Sequence, residues 1–425
     1  MNRAERRSRH KSERTERRNN VSLAAAVKHL SNGRPNRARQ ILNGQLNKTP
    51  MDASCMHYLG VSYYQLGDFD KANEVLRKTV EIAPEYAEAH NSLGNLLFEI
   101  RQIPESVECF RKAVSLNSNY ANAYTNLGNA LRQLGDLSSA EHYLTSAIKI
   151  DSLSIRPQYI LSSVLIGLGR ASEALKVVDQ SLKIDPYCQN ALAAKVIALQ
   201  MLEKYSEAEK LQCFDNFIHS LKLKIPSSFN TESEFNSDLC KAILSEPSLT
   251  WEPLNRVTRN GAVTQNMLNN PNRAIKQFEK ILRQGIDHLK SSLDFDPDHP
   301  FLSRIPKKYS LTFVASILRE GGWHPSHIHE SSWLSGVYYV DVPIMHTTNL
   351  VPKNELIDTY KNSGWLEFGI PDYSLPEGFS PITRSFPPEI GVARCFPSYF
   401  FHNTVPFTGL GDRIGIAFDV YVEDS

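Results

Sequence analysis

A short segment of the sequence concentrates side chains that can bind a metal ion. Three of the thirteen histidines, His324, His327 and His329, fall within six residues. Side chains alternate between the two faces of a β-strand, so His327 and His329 project to the same face if a strand begins here. Two imidazoles on one face have the geometry for two ligands of one metal ion. An isolated histidine is more often a hydrogen-bonded core residue, and this interpretation is favoured for His324 and His346.

The elements that would position these side chains are predicted in the second half of the chain. A helical pattern runs from 268 to 294, with apolar residues spaced for one amphipathic face. After residue 297 the pattern becomes strand-like, with short segments rich in Val, Ile, Tyr and Phe between turns that contain Pro or Gly. The predicted strands are Leu311–Leu318, Trp333–Val342, Trp365–Phe368, Gly391–Phe396, Phe400–Val405 and Ile414–Val422. A helix followed by strands without intervening helices predicts a barrel or sandwich packed on a helix.

Four segments of this region follow one another in an order that is typical of one enzyme family. They are the H-x-H pair, the sequence SGVYY at 335–339, the sequence FPS at 396–398 with His402 soon after it, and RIGIAF at 413–418. The succession resembles the double-stranded β-helix oxygenases that use iron(II) and 2-oxoglutarate. The resemblance spans about a quarter of the chain. It implies a jelly-roll or cupin-like domain with flanking helices over residues 241–425.

The resemblance also implies a role for each matching residue. His327 and His402 fall on the family's two histidine ligands of the metal, and His329 falls on the position of its carboxylate ligand. Arg413 falls on the residue that pairs with the distal carboxylate of 2-oxoglutarate, and the fork of a guanidinium suits this role. Tyr339 falls where a phenol can bond the same carboxylate. The implied cofactor is Fe(II), with 2-oxoglutarate as cosubstrate and dioxygen as oxidant.

The third metal ligand departs from the family pattern. Non-heme iron oxygenases usually hold the metal with two histidines and one carboxylate, whereas this sequence has His329 in the carboxylate position. A three-histidine site carries one negative charge less, so we expect weaker binding of iron(II) and a different metal preference. Glu330 is the nearest carboxylate, but strand alternation points it to the other face. His324 is a further candidate ligand.

The first half of the chain repeats itself every 34 residues. Glycines, alanines, prolines and Leu-Gly pairs each keep this spacing: Gly33, Gly67, Gly135 and Gly169; Ala38, Ala72, Ala140, Ala174 and Ala208; Pro50, Pro84 and Pro186; Leu59-Gly60, Leu93-Gly94 and Leu127-Gly128. In each unit the Gly lets a neighbouring helix approach, a turn follows, and a small Ala lies where the second helix crosses the first. Pro then ends the unit because it cannot continue a helix. The period resembles the tetratricopeptide repeat and predicts an all-α solenoid of about six repeats over residues 19–211.

Stacked repeats of this kind form a concave groove that commonly binds an extended peptide or another protein. We therefore expect a protein or peptide partner in the groove. The groove equally suits docking of the chain's own second domain or formation of a dimer, so the oligomeric state is open. The substrate is open as well, since both a protein side chain and a small molecule fit the two-part chain.

Composition bounds the remaining classes of partner. The net charge is +1, so no global field indicates binding to nucleic acid. Residues 1–18 hold eight Arg or Lys and three Glu with almost no large apolar residue, which predicts a disordered basic tail. A polar, turn-rich stretch predicts a linker or connecting segment over 212–240. No apolar run approaches the ~18 residues of a membrane span, and six widely spaced cysteines indicate neither a disulfide framework nor a zinc site. A cytoplasmic protein is expected.

Other reaction classes lack their motifs. No Ser or Cys stands on a nucleophile elbow, and no G-x-x-x-x-G-K-S/T phosphate loop is found. Two alternatives to hydroxylation stay open. One is a repeat scaffold whose degenerate cupin-like domain has lost catalysis, and the other is a cupin-like metalloenzyme that does not use 2-oxoglutarate. Metal content distinguishes the first alternative, and consumption of 2-oxoglutarate distinguishes the second.

Overall fold

The computed structural model describes residues 22–253, 257–343, 362–409 and 411–423. The basic tail predicted at 1–18 lies outside these ranges, and so does His346. The chain forms two compact units, Met1–Ile160 and Leu161–Ser425. Within the described residues, no helix is both long enough and apolar enough to cross a lipid bilayer.

The first unit is built from helices that pack against one another in sequence. They are α1 (22–31), α2 (Pro35–Leu46), α3 (Ala53–Gln65), α4 (Phe69–Ile82), α5 (Ala87–Glu99), α6 (Ile103–Leu116), α7 (Ala121–Gln133), α8 (Leu137–Ile150) and the start of α9 (Ile155–Gly167). Leu42, Leu76 and Leu144 are almost fully buried between neighbouring helices. Each amphipathic helix thus covers the apolar face of the next one.

The small residues of the 34-residue pattern lie where helices touch. A Cβ atom added to Gly128 of α7 would lie 2.5 Å from Cγ of Leu144 in α8. Gly60 of α3 makes the equivalent approach to Leu76 of α4, at 2.6 Å. The four glycines that follow the first helix of a repeat have positive φ, and Arg101 takes the same conformation, with φ of 66°, in the repeat that lacks this glycine. The sequence pattern therefore follows from close helix contacts and left-handed turns.

The second unit joins helices to antiparallel β-sheets. Its helices are the rest of α9, α10 (Ala171–Ile184), α11 (Gln189–Met201), α12 (Tyr205–Gln212), α13 (Phe214–Phe217), α14 (Glu232–Leu244) and α15 (Arg273–Ser292). Its described strands are β1 (His219–Lys222), β2 (Thr250–Trp251), β3 (Arg259–Val263), β4 (Tyr309–His327), β5 (Leu334–Asp341), β6 (Leu366–Phe368), β7 (Arg384–Phe386), β8 (Val392–Pro397), β9 (His402–Thr404) and β10 (Arg413–Val422).

The strands form two sheets that share β4. The first sheet has the order β1-β8-β5-β10-β4-β3-β2 and the second has the order β4-β9-β6-β7, with antiparallel neighbours throughout. The first half of β4 pairs with β10, and its last residue, His327, pairs with His402 of β9. Residues of both sheets line one internal cavity. The predicted fold class, a helical repeat array followed by a jelly-roll-like domain with flanking helices, is confirmed.

The segment 212–240, predicted to be a linker, is part of the folded second unit. Strand β1 (His219–Lys222) pairs with β8 along its whole length. Helix α14 begins at Glu232, where the Thr231 hydroxyl caps it. The polar residues that indicated a linker form the loop before α14 and its first turn, while Phe214 buries its ring. The segment connects the helices to the sheets through folded elements, and its polar loop between two short elements has the composition of a linker.

The last repeat helices pack directly on the sheets within the second unit. The Phe214 ring lies 6.2 Å from the ring of Phe368 and 5.7 Å from that of Phe400, measured between ring centres. In α11, the side-chain oxygen of Gln200 accepts a hydrogen bond from the backbone N–H of Ile382 at 2.9 Å. Helix α13 therefore shares an apolar core with the sheets, and α11 is joined to the sheet region by a hydrogen bond.

Candidate metal centre

Three histidines come together at the junction of β4 and β9. His327 ends β4 and faces His402, the first residue of β9, across the antiparallel pair. His329 lies two residues beyond the end of β4, where its backbone N–H donates to the carbonyl of Ser398 at 3.1 Å. One ligand nitrogen from each of the three rings lies within 4.8 Å of the other two. This is the trio that the sequence singles out for metal binding.

The Nδ1 atoms of His327 and His402 are both hydrogen-bonded to backbone carbonyl oxygens. The carbonyl oxygen of Pro325 lies 2.8 Å from Nδ1 of His327, and that of Phe400 lies 3.0 Å from Nδ1 of His402. A carbonyl oxygen only accepts, so each Nδ1 carries the proton of a neutral imidazole. The Nε2 atoms keep their lone pairs. Fixing the tautomer through the distant nitrogen is the usual way in which a protein orients a histidine toward a metal.

His329 is oriented by a carboxylate instead of a carbonyl. Its Nδ1–H donates to Oδ1 of Asp419 at 2.8 Å. The same oxygen accepts from the hydroxyl groups of Ser332 and Ser335, at 3.1 and 2.6 Å. Burial alone would raise the pKa of Asp419, but the charge of His329 and these hydrogen bonds hold the pKa below its usual value. A carboxylate anion therefore lies directly behind the third histidine.

The electrostatic environment keeps two of the rings neutral. His402 is buried, and burial lowers its pKa well below the usual value. His327 is half-buried and lines the cavity; burial in the protein, followed by the charge of His329, lowers its pKa to about 4. A histidine binds a metal ion as the neutral imidazole, through the nitrogen that carries no proton. At neutral pH these two imidazoles are already in the form that binds a cation.

The three rings line a cavity of about 470 Å³. Arg413, the first residue of β10, lines the same cavity although only 2% of its surface is exposed. The volume lies in the range of pockets that hold small organic molecules. A group of nitrogen donors and a guanidinium therefore face one cavity.

Tyr339 lies behind Arg413, inside the wall of the cavity. The guanidinium carbon of Arg413 is 5.0 Å from the centre of the Tyr339 ring. Burial raises the pKa of Tyr339, and the charges of Arg413 and Arg394 oppose the rise. The guanidinium of Arg413 also acts on the Tyr339 phenol within hydrogen-bonding range, yet Nε of Arg413 and the phenol oxygen are not aligned for a well-formed hydrogen bond with any described residue. Buried polar atoms seldom stay unpaired, and an anionic ligand would satisfy both.

The other candidate ligands lie outside the histidine group. Both ring nitrogens of His324 are engaged, Nε2 with the Ser316 hydroxyl at 3.0 Å and Nδ1 with the Thr404 hydroxyl at 3.1 Å. Burial, followed by the charge of Arg413, lowers the pKa of His324 to about 3. Glu330 is exposed. The geometry of His324 is that of a hydrogen-bonded core histidine.

Asp419 is the site residue that the sequence analysis missed. A signal was present, because every second residue of a strand faces the same side. Arg413, Gly415, Ala417 and Asp419 all line the cavity. Extending the alternation six residues beyond Arg413 therefore finds the carboxylate. No motif spacing connects Asp419 to His329, since β10 meets that histidine only in the folded chain.

Comparison with protein families agrees with the two-part interpretation. A family described as "Putative 2OG-Fe(II) oxygenase" matches residues 314–419. Tetratricopeptide-repeat families match 60–100, 94–135 and 121–152. The predicted combination of tetratricopeptide repeats with a domain of this oxygenase family is confirmed. No curated protein matches the chain.

Several solved structures resemble the helical part of the chain. MamA is 26% identical with a TM-score of 0.35, over 38% of this chain and 94% of that one. YrrB, described as a TPR protein with an unusual peptide-binding site, is 21% identical with a TM-score of 0.36, over 41% and 90%. PilF of Pseudomonas aeruginosa is 17% identical with a TM-score of 0.44, over 47% and 92%. Each match covers less than half of this chain.

Proposed function

We propose that the second unit is an iron(II)- and 2-oxoglutarate-dependent dioxygenase that hydroxylates its substrate. One observation carries the proposal. Three imidazoles, each with its Nδ1 already hydrogen-bonded, face one cavity together with a buried arginine that forms no ion pair among the described residues. A cation site and an anion site in one pocket suit a metal ion and an organic acid.

His327, His329 and His402 would hold the metal through their Nε2 atoms. When bound, iron(II) supplies the activation of dioxygen, which no side chain can perform. The protein's residues orient the three rings and keep two of them unprotonated before metal arrives. Asp419, in contact with His329, supplies the negative charge that a three-histidine site lacks, although it supplies it from behind the ligand.

Arg413 and Tyr339 would hold the distal carboxylate of 2-oxoglutarate. The Nε–H of Arg413 and the hydroxyl of Tyr339 lack acceptors within the described residues. A carboxylate accepts several hydrogen bonds, and a guanidinium donates two in parallel. Anchoring this end leaves the opposite, 2-oxo acid end of the cosubstrate free to reach the histidines. The site would thus orient the cosubstrate, with its distal carboxylate on Arg413 and Tyr339 and its 2-oxo acid end toward the histidines.

The tetratricopeptide repeats are proposed to bind a protein or peptide and to present it for hydroxylation. Stacked repeats make extended surfaces of the kind that bind polypeptides. A small-molecule substrate, with the repeats serving assembly, is the second possibility for the same chemistry. The six cysteines are all free, which supports a reducing, cytoplasmic location.

Release of succinate tests the proposed reaction. The full chain, purified anaerobically with iron(II), is mixed with 2-oxoglutarate, dioxygen and cell lysate. We expect succinate from the wild type, none from His402→Ala, and wild-type amounts from His288→Ala, which changes an exposed histidine of α15. A metal-loaded protein that leaves 2-oxoglutarate intact would indicate the cupin-like metalloenzyme. A protein that binds no metal would indicate the non-catalytic scaffold.

A further inference from the structure

We propose that Arg394 is a second cation of the cosubstrate anchor and makes this pocket select 2-oxo acids whose distal end is a carboxylate. The inference rests on the proposed function, because it concerns the same pocket. It assigns a role to a buried arginine of β8 that no sequence motif indicates. Arg394 acts through Tyr339 and is therefore a positioning residue.

The sheet places Tyr339 between the two arginines. Strand β5, which carries Tyr339, lies between β8 and β10. Residue 337 of β5 is directly opposite Arg394, and Tyr339 is directly opposite residue 415 of β10. Opposite residues of an antiparallel pair share a face, as do residues two apart on one strand. Arg394, Tyr339 and Arg413 are therefore diagonal neighbours on the inward face of the sheet.

The buried positive charge of Arg394 is compensated as incompletely as that of Arg413. Only 6% of its surface is exposed. Its guanidinium donates to the hydroxyl of Ser220 and lies over the ring of Phe386, with 4.7 Å between the guanidinium carbon and the ring centre. Its Nε has no hydrogen-bond partner, and neither arginine forms an ion pair in the part of the chain that the structure describes. A hydroxyl group and an aromatic face compensate a buried cation only in part.

Two buried cations without a carboxylate are unfavourable unless an anion joins them. The three unpaired atoms, Nε of Arg394, Nε of Arg413 and the hydroxyl of Tyr339, belong to neighbouring side chains. Arg413 lines the cavity and meets the ligand directly. Arg394 lies behind the cavity wall, where its charge attracts the same anion and strengthens Tyr339 as a hydrogen-bond donor. The charge of Arg394 also opposes the rise in the pKa of Tyr339 that burial causes.

Paired ligands separate this electrostatic role from simple support of the fold. Binding of 2-oxoglutarate and of 2-oxopentanoate is measured anaerobically on the iron(II)-loaded full chain. The two acids share the metal-binding end and the chain length, but only the first has a distal carboxylate. In Arg394→Met the Kd for 2-oxoglutarate should rise about tenfold, the size expected for one charge acting across the interior. The Kd for 2-oxopentanoate should stay the same, and Arg394→Lys should recover part of the lost discrimination.

Arg384→Met is the matched control, because this exposed arginine pairs with Asp215 at the surface. Its loss should leave both Kd values unchanged. Equal effects of Arg394→Met on both acids, or no effect on either, would overturn the inference and leave the proposed function standing. Failure of the wild type to bind 2-oxoglutarate at all would overturn both.

Discussion

At the scale of single residues, the metal affinity of the proposed site depends on the carboxylate that contacts His329. In the proposed site this side chain takes the place of the carboxylate ligand that non-heme iron oxygenases usually have, and its Nδ1–H donates to Asp419 at 2.8 Å. The hydrogen bonds from Ser332 and Ser335 hold the carboxylate in place. A carboxylate that accepts the proton of a ligand imidazole makes the imidazole a better donor to a metal. The site thus keeps a negative charge, but on a carboxylate that contacts a ligand and not on a ligand itself.

Asp419→Asn tests this role. The substitution keeps the size of the side chain and leaves an oxygen that can accept from His329, but it removes the charge. Affinity for iron(II) should fall about 10- to 100-fold, as for other partners of metal-bound histidines. Competition against a chelator of known affinity measures the change. Asp294→Asn, at an exposed position after α15, is the control, and equal affinities of Asp419→Asn and the wild type would contradict the role.

The elements that carry the site were only partly predictable from the sequence. Strand β5 and the paired region of β10 agree with the prediction, because β5 is rich in Val and Tyr and β10 alternates apolar residues with others. The prediction ended the first strand at Leu318, whereas β4 continues to His327. Gly321, with φ of +76°, and Pro325 suggest a turn, but pairing with β9 in the second sheet extends the strand. Short edge strands such as β1 were missed, because four residues are too few for a period-two pattern to be recognised in the sequence.

Helix contacts in the first unit give a prediction about stability. Gly128→Ala adds a Cβ atom 2.5 Å from Cγ of Leu144 and 3.3 Å from the carbonyl oxygen of Ala140. Overpacking of this kind costs about 1–3 kcal/mol. Gly44→Ala in α2 meets no atom within 4 Å and should stabilise the helix by up to about 1 kcal/mol. Urea unfolding followed by circular dichroism measures both changes. A Gly128→Ala protein as stable as Gly44→Ala would show that the close helix approach is not needed.

At the scale of the whole molecule, the repeats do not end where the sheet domain begins. At the end of α12 the carbonyl of Lys210 accepts from His299 and that of Leu211 accepts from Tyr399. The 34-residue spacing continues to Ala208 and reports only on contacts between the repeat helices. The sequence therefore predicts the repeats but does not indicate that the last of them contact the sheet domain. The division into a repeat solenoid at 19–211 and an oxygenase-like domain at 241–425 stays a prediction.

Two truncated chains test the consequence for folding. A chain of residues 153–425 keeps all of α9 and the helices that pack on the sheets, so it should fold and bind metal. A chain of residues 212–425 loses both α12 carbonyls and uncovers Phe214, so it should be markedly less stable or aggregate. Thermal melting and gel filtration compare them. If residues 212–425 melt as cooperatively and at the same temperature as residues 153–425, the last repeat helices are not part of the second unit's core.

The longer truncated chain is also the right one for asking whether the repeats select the substrate. It lacks residues 1–152 of the first unit and retains the complete second unit. Loss of lysate-dependent succinate with unchanged binding of 2-oxoglutarate would place substrate selection in the first unit. Unchanged succinate release would mean that the first unit serves another purpose.

The central claim is that His327, His329 and His402 hold one iron(II) ion, and metal content after anaerobic loading tests it most directly. Wild-type protein and the variants His402→Ala and His288→Ala are loaded with iron(II), desalted and analysed by elemental mass spectrometry. We expect a single tightly held metal ion in the wild type and in His288→Ala and its loss in His402→Ala, with all three proteins folded by circular dichroism. Full metal occupancy in a folded His402→Ala protein would show that the three histidines do not hold the metal together.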